Sequence, residues 1–130
     1  MSSDPIAVLH AYIATLPDLS GVMVSGTRIG RVRGKPTVVL EGTGGYRVVR
    51  RRMDRADVTI NVYHSTHTQA AGLASTLRDS LLDDLPGTVV GGAQVLDVAE
   101  VSMPFPLPDA TSAEFRYVHD IALYLTEASA

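Results

Sequence analysis

Asp57-Val58-Thr59-Ile60-Asn61-Val62-Tyr63 alternates strictly, with Val58, Ile60 and Val62 on one side and Asp57, Thr59 and Asn61 on the other. A side-chain period of two with one apolar side is a strand with one buried face. The period then changes. Ala70, Ala74, Leu77, Leu81 and Leu85, with Leu73 beside them, recur at spacings of three and four and predict a helix. It starts after Ser65 or Thr66 and runs to about Leu85, where Pro86-Gly87 stops it. A half-buried strand feeding an amphipathic helix calls for a sheet covered by helices on one face.

Outward from this pair, the N-terminal side supplies a helix and two strands. Ser3-Asp4-Pro5 reads as a polar cap with proline in the first turn, and Ile6, Leu9, Ile13 and Leu16 form one apolar face up to Pro17 and Gly21. Val22-Met23-Val24 is a short strand. Gly30 to Lys35 is a basic loop, and Pro36 precedes a strand over Thr37–Glu41. Gly42-Thr43-Gly44-Gly45 reads as a turn, after which Val48 and Val49 extend a hairpin with Arg50-Arg51-Arg52 in its loop.

On the C-terminal side, Gln94–Ser102 is strand-like with a slip in its alternation that indicates a bulge. Met103-Pro104-Phe105-Pro106-Leu107-Pro108 cannot pair in mid-sheet and is a loop or edge extension. Phe115 to Thr126 is the most regular run. It places Phe115, Tyr117, His119, Ile121, Leu123 and Leu125 on one face, and its length suits a central strand. The order is α-β-β-β-α-β-β, an α+β fold whose mixed or antiparallel sheet carries two helices on one face. With no repeat and no long linker, residues 1–130 are expected to form one domain, with a basic hairpin region at 28–55.

The 45 % apolar and 19 % charged composition is that of a folded chain. Cysteine is absent, which removes disulfides, thiolate metal sites and cysteine nucleophiles. No signal peptide and no membrane-length apolar run is evident, so synthesis in the cytoplasm without membrane contact is expected. With no tryptophan and 5 % aromatics, stacking platforms for single-stranded nucleic acid are scarce.

Reactive constellations are incomplete. His64 and His67 are the nearest thing to a metal pair, but no third ligand accompanies them, and they read as surface histidines at a helix start. His10 and His119 both read as packing residues with one satisfied ring nitrogen, His119 alternatively at an interface if its strand face is not fully covered. Neither Gly42–Gly45 nor Gly91-Gly92 completes a phosphate-binding fingerprint, and there is no Gly-x-Ser-x-Gly elbow. No enzyme, cofactor or metal site is expected.

Charge carries the functional information. Nine of the eleven basic residues lie between positions 28 and 55: Arg28, Arg31, Arg33, Lys35, Arg47, Arg50, Arg51, Arg52 and Arg55. Against Glu41 and Asp54 alone they leave this stretch at +7, while two basic and twelve acidic residues leave the remainder at −10. Charges in two loops flanking one strand are expected to converge. Arginine outnumbers lysine eight to one among them, which suits phosphates or interface carboxylates. Asp83-Asp84 reads as an acidic edge at a helix end. Such a chain suits an anionic partner or a second copy of itself.

The chain resembles the tail terminator (tail completion) proteins of long non-contractile-tailed bacteriophages over nearly its whole length. The resemblance is carried by the Asp4-Pro5-Ile6-Ala7-Val8-Leu9 helix, Pro36-Thr37-Val38-Val39-Leu40 followed by Gly44-Gly45, and the Asp57–Tyr63 strand. It continues in the alanine-rich Gln69–Ala74 helix and the closing Phe115-Arg116-Tyr117-Val118 and Ile121–Leu125. It implies a non-enzymatic virion protein that forms a ring, usually hexameric. The ring caps the tail tube and joins it to the head connector, and DNA passes non-specifically through its lumen. Related head–tail neck proteins share this length and element order. Within that reading the nine basic residues are expected to contact a neighbouring subunit, the tube protein or the connector, and Asp83 and Asp84 to line the lumen. A nucleic-acid-binding module is the alternative, since α-β-β-β-α is the order of a double-stranded RNA-binding domain. Against it, Ser65-Thr66-His67-Thr68 gives the second helix no basic start. A small hydrolase or metal enzyme is the other rival and lacks a complete site.

Overall fold

A computed structural model of the chain describes residues 4–27, 34–50, 52–108 and 114–128. The first helix, α1 (Pro5–Ile13), starts as the sequence predicts: Asp4 Oδ1 accepts the Ile6 N–H at 2.9 Å and Pro5 occupies the first turn. It is shorter than its apolar spacing suggests. After Ala14 the chain leaves the helix, and Pro17–Leu19 forms a separate 3₁₀ turn that buries Leu19. His10 faces solvent, so its expected packing role does not hold.

The described residues form six strands: β1 (Met23–Ser25), β2 (Thr37–Val49), β3 (Met53–His64), β4 (Val89–Val90), β5 (Ala93–Pro106) and β6 (Phe115–Glu127). They form one mixed sheet in the order β1-β2-β3-β6-β5-β4, in which only the β1–β2 pair is parallel. The α+β architecture is as expected, with the two-residue β4 added. β6 lies between β3 and β5, the interior place that its long alternation predicts.

The second helix, α2 (His67–Asp79), is capped by Thr66, whose Oγ1 accepts the Gln69 N–H and donates to Gln69 Oε1 at 2.8 Å. The helix then widens into a π turn over Ser80–Asp84, closed by the Leu85 N–H donating to the Ser80 carbonyl at 3.0 Å. This wider turn keeps Leu81 and Leu85 on the side of Ala74 and Leu77, all four being buried. Both helices pack on the sheet face bearing Val38, Leu40, Val58, Ile60, Val62, Ile121, Leu123 and Leu125. Tyr12 ties them together through its hydroxyl, 2.7 Å from Ser80 Oγ.

The main departure from expectation is Gly42–Gly45. These residues do not turn the chain; they lie inside β2, which continues to Val49 through a bulge between Gly42 and Gly44. The reversal comes after Val49, so β2 and β3 make a ribbon reaching to Val49 and Met53. In β5 the slip in alternation is real and is repeated, with irregular register between Val95 and Asp97 and at two places from Glu100 to Phe105. The proline-rich continuation pairs with β6 as far as Pro106, on the sheet's outer side, as an edge extension.

Candidate interaction surface

The described part of the basic region is built by the β2–β3 ribbon, and within it Lys35 stands apart from the arginines. Arg28, Arg31, Arg33 and Arg51 lie outside the described residues. Lys35 stands before the start of β2, and Arg47, Arg50, Arg52 and Arg55 cluster around the ribbon tip at the strand's other end. Thirteen residues of strand at about 3.3 Å each separate Lys35 from the tip by roughly 40 Å. Residues flanking one strand are neighbours only when the strand is short, and glycines with the chemistry of a turn make β2 look short in sequence.

The four described arginines differ in their surroundings. Arg47 Nε is 3.7 Å from Asp54 Oδ1, its cross-strand partner. Arg55 donates to Asp57 Oδ1 at 3.0 Å, two residues on along the same strand, and its guanidinium lies 5.6 Å from the Tyr46 ring centre. The Asp57 hydrogen bond raises the Arg55 pKa further above the usual arginine value. Since Asp54 and Arg55 are successive strand residues, these two ion pairs occupy opposite faces of the ribbon. Arg50 and Arg52, at the turn, are exposed and have no acidic partner among the described residues. Tyr46, Val48 and Val49 are exposed beside them, Tyr46 by 59 %. This apolar component is not legible in the sequence, because side chains that follow a turn have no predicted face.

Asp83 and Asp84 are exposed on the π turn. Asp84 shares a surface groove with Asp79 and with Asp18 from the 3₁₀ turn, an acid that sequence distance concealed. The turn lies near the start of β5, where Gly87 and Thr88 hydrogen-bond to Val95. Asp97 is exposed on that strand.

A partly exposed polar network, with only His119 buried, links α2 to the sheet. Arg78 donates from Nε and Nη2 to the two Glu100 oxygens, each at 2.7 Å, and His119 Nε2–H donates to Glu100 Oε2 at 2.8 Å. The Arg78 hydrogen bonds hold the Glu100 carboxyl below its ordinary pKa, and burial lowers that of His119 against the opposing pull of Glu100. His119 is thus the packing histidine that its strand position predicts. His67 sits edge-on to Phe115 and shares a 2.9 Å hydrogen bond with the Tyr117 hydroxyl, whereas His64 Nδ1 accepts the Ser65 N–H. Among the described residues no three His, Asp or Glu side chains group as metal ligands. No described helix is long and apolar enough to cross a membrane.

The fold differs from the α-β-β-β-α unit of a double-stranded RNA-binding domain. β6 pairs along the whole of β3 and joins it to β5, so α-β-β-β-α is not a closed unit here.

No protein-family model and no curated protein matches the chain. Among solved structures 14 chains match. One, from a structure titled "Virion of native gene transfer agent (GTA) particle", aligns with a TM-score of 0.63 at 12 % identity, over 92 % of this chain and 92 % of that one. Across nearly its whole length, the chain therefore shares its fold with a chain of a gene transfer agent virion.

Proposed function

We infer that this chain is a structural, non-enzymatic component of a tailed phage-like particle, acting as a ring at the junction of tail and head. The observation that carries the reading is the end-to-end fold likeness to a chain of a gene transfer agent virion. The segregated charge supports it, since a cyclic ring needs one patch to meet a different patch on the next copy, and opposite charges favour that register. Within the particle the chain works as a tail terminator: a hexameric ring caps the tube, docks on the connector and lets DNA pass through its lumen. The arginines of the ribbon tip contact an acidic protein surface, and the DNA contact is passage without sequence recognition.

Deleting the gene from the genome that encodes it and imaging the particles by negative stain tests this reading. DNA-filled heads separated from tails of uncontrolled length are expected, with joining restored by the wild-type chain. Intact particles of normal tail length in the deletion strain would overturn it.

A further inference from the structure

β6 follows β3 only as far as Asp54, while β2 and β3 stay paired to Val49 and Met53. Past Asp54 the sheet narrows, among the described residues, to a two-stranded tip. Exposed Tyr46, Val48 and Val49 lead into this tip, and exposed Arg50 and Arg52 stand at its turn. A surface that takes phosphates gathers unopposed cations. Here Asp54 and Asp57 engage two of the four described arginines, Arg47 and Arg55. Tyrosine and arginine are the side chains that anchor protein interfaces, and the two valines beside them add apolar contact area. The tip therefore suits a protein partner that offers carboxylates around an apolar hollow.

The chain itself carries such a surface. A groove of about 410 Å³ lies between the 3₁₀ turn and the end of α2, with Leu16, Pro17, Asp18, Thr76, Asp79 and Asp84 in its lining. All three aspartates are exposed, and no basic side chain is among the described lining. Arg78, next to Asp79 in sequence, has its guanidinium turned to Glu100 instead. The walls are held together by the Tyr12 hydroxyl, 2.7 Å from Ser80 Oγ, and rest on buried Leu19 and Leu81. Tip and groove are thus complementary in charge, and each brings apolar side chains to the other. They are also different surfaces of one chain, the tip belonging to the sheet and the groove to the helix layer.

We propose that the ribbon tip of one copy seats in this groove of the next. Arg50 and Arg52 face Asp18, Asp79 and Asp84, while Tyr46, Val48 and Val49 lie against Leu16 and Pro17. The proposal rests on the ring reading above and deepens it by naming the acidic surface that the tip meets. It places Asp84 in the junction rather than on the lumen wall. The contact is heterologous, so it repeats from copy to copy and gives a ring when the rotation closes.

The absence of cysteine gives a clean test. Val49→Cys and Thr76→Cys are prepared as separate single variants, so that a bond between the two sites can form only between molecules. Mixed at high concentration and mildly oxidised, they are expected to give a disulfide-linked heterodimer, and each alone to stay uncross-linked. No heterodimer, or equal cross-linking of either variant alone, would overturn the junction. In a second arm, Arg50→Glu/Arg52→Glu and Asp18→Lys/Asp84→Lys are prepared separately, with folding checked by circular dichroism. Each is expected to associate about tenfold or more weakly than wild type by native mass, and an equimolar mixture to recover association. Association unchanged in the arginine variant, with duplex DNA binding lost instead, would make the tip a phosphate contact and overturn the junction. Wild-type association in both variants would overturn it too, and leave the virion reading standing. Particle joining that survives gene deletion would remove the virion reading whatever the cross-links show.

Discussion

Gly45 sits in β2 at φ +135°, and a Cβ built there would come within 2.0 Å of the Arg55 carbonyl oxygen. Both facts demand glycine, one through backbone conformation and one through close approach of the partner strand. Gly45→Ala should destabilise the chain by about 2 kcal/mol or more, with the damage centred on the ribbon. Urea unfolding would register this, and an unchanged midpoint would mean that the ribbon bends freely. His119 makes a different prediction. Its folded pKa is depressed by burial, so the unfolded chain binds the proton more readily, and stability falls as pH drops from its ordinary value of 6.5 towards the folded value. Glu100, also depressed, adds a second loss below its ordinary 4.5. A melting temperature followed from about pH 8 down to about pH 3 should decline in these two stages, and His119→Gln should flatten the first. A slope unchanged by that substitution would place the titration elsewhere. The two residues were not equally legible. His119 lies in an unbroken alternation that states its face. Gly45 lies in a run with no side chains to alternate, and turn chemistry was the only signal left to read.

At the scale of elements, α2 shows how a local signal and a packing requirement divide the work. Thr66-His67-Thr68-Gln69 carries a capping box in plain sequence, and the helix begins there. Thr66→Ala should cost about 1 kcal/mol and Thr66→Ser very little. Chemical denaturation of both variants checks this, and equal losses would show that the methyl group matters rather than the hydroxyl. The end of the helix was less readable. Leu77, Leu81 and Leu85 fit an ordinary helix, and only the described backbone reveals the π turn that brings the last two onto the sheet. β5 was legible for its bulge and for the place of its prolines, because a missing N–H permits only an edge. β4 was not, being two residues without a pattern.

For the whole molecule, the sequence states that charge is segregated but not where in space it falls. The length of β2 decides that, and it sends Lys35 and the ribbon arginines to opposite ends of the sheet. The position of β6 has the widest reach. Among the described residues, β1-β2-β3 and β5-β4 have no strand pairing with each other except through Phe115–Glu127. A chain ending before Phe115 should therefore fail to fold rather than lose one strand, with little native circular dichroism and poor solubility. A stable, soluble truncated product would show that one half stands alone. The same arrangement sets a schedule for synthesis. β6 is the last of the described strands to leave the ribosome, and its partners in β3 and β5 wait for it. The β1-β2-β3 and β5-β4 groups come into fixed relation only when it arrives. A nascent chain thus holds two strand groups and no continuous sheet until residue 127 has emerged.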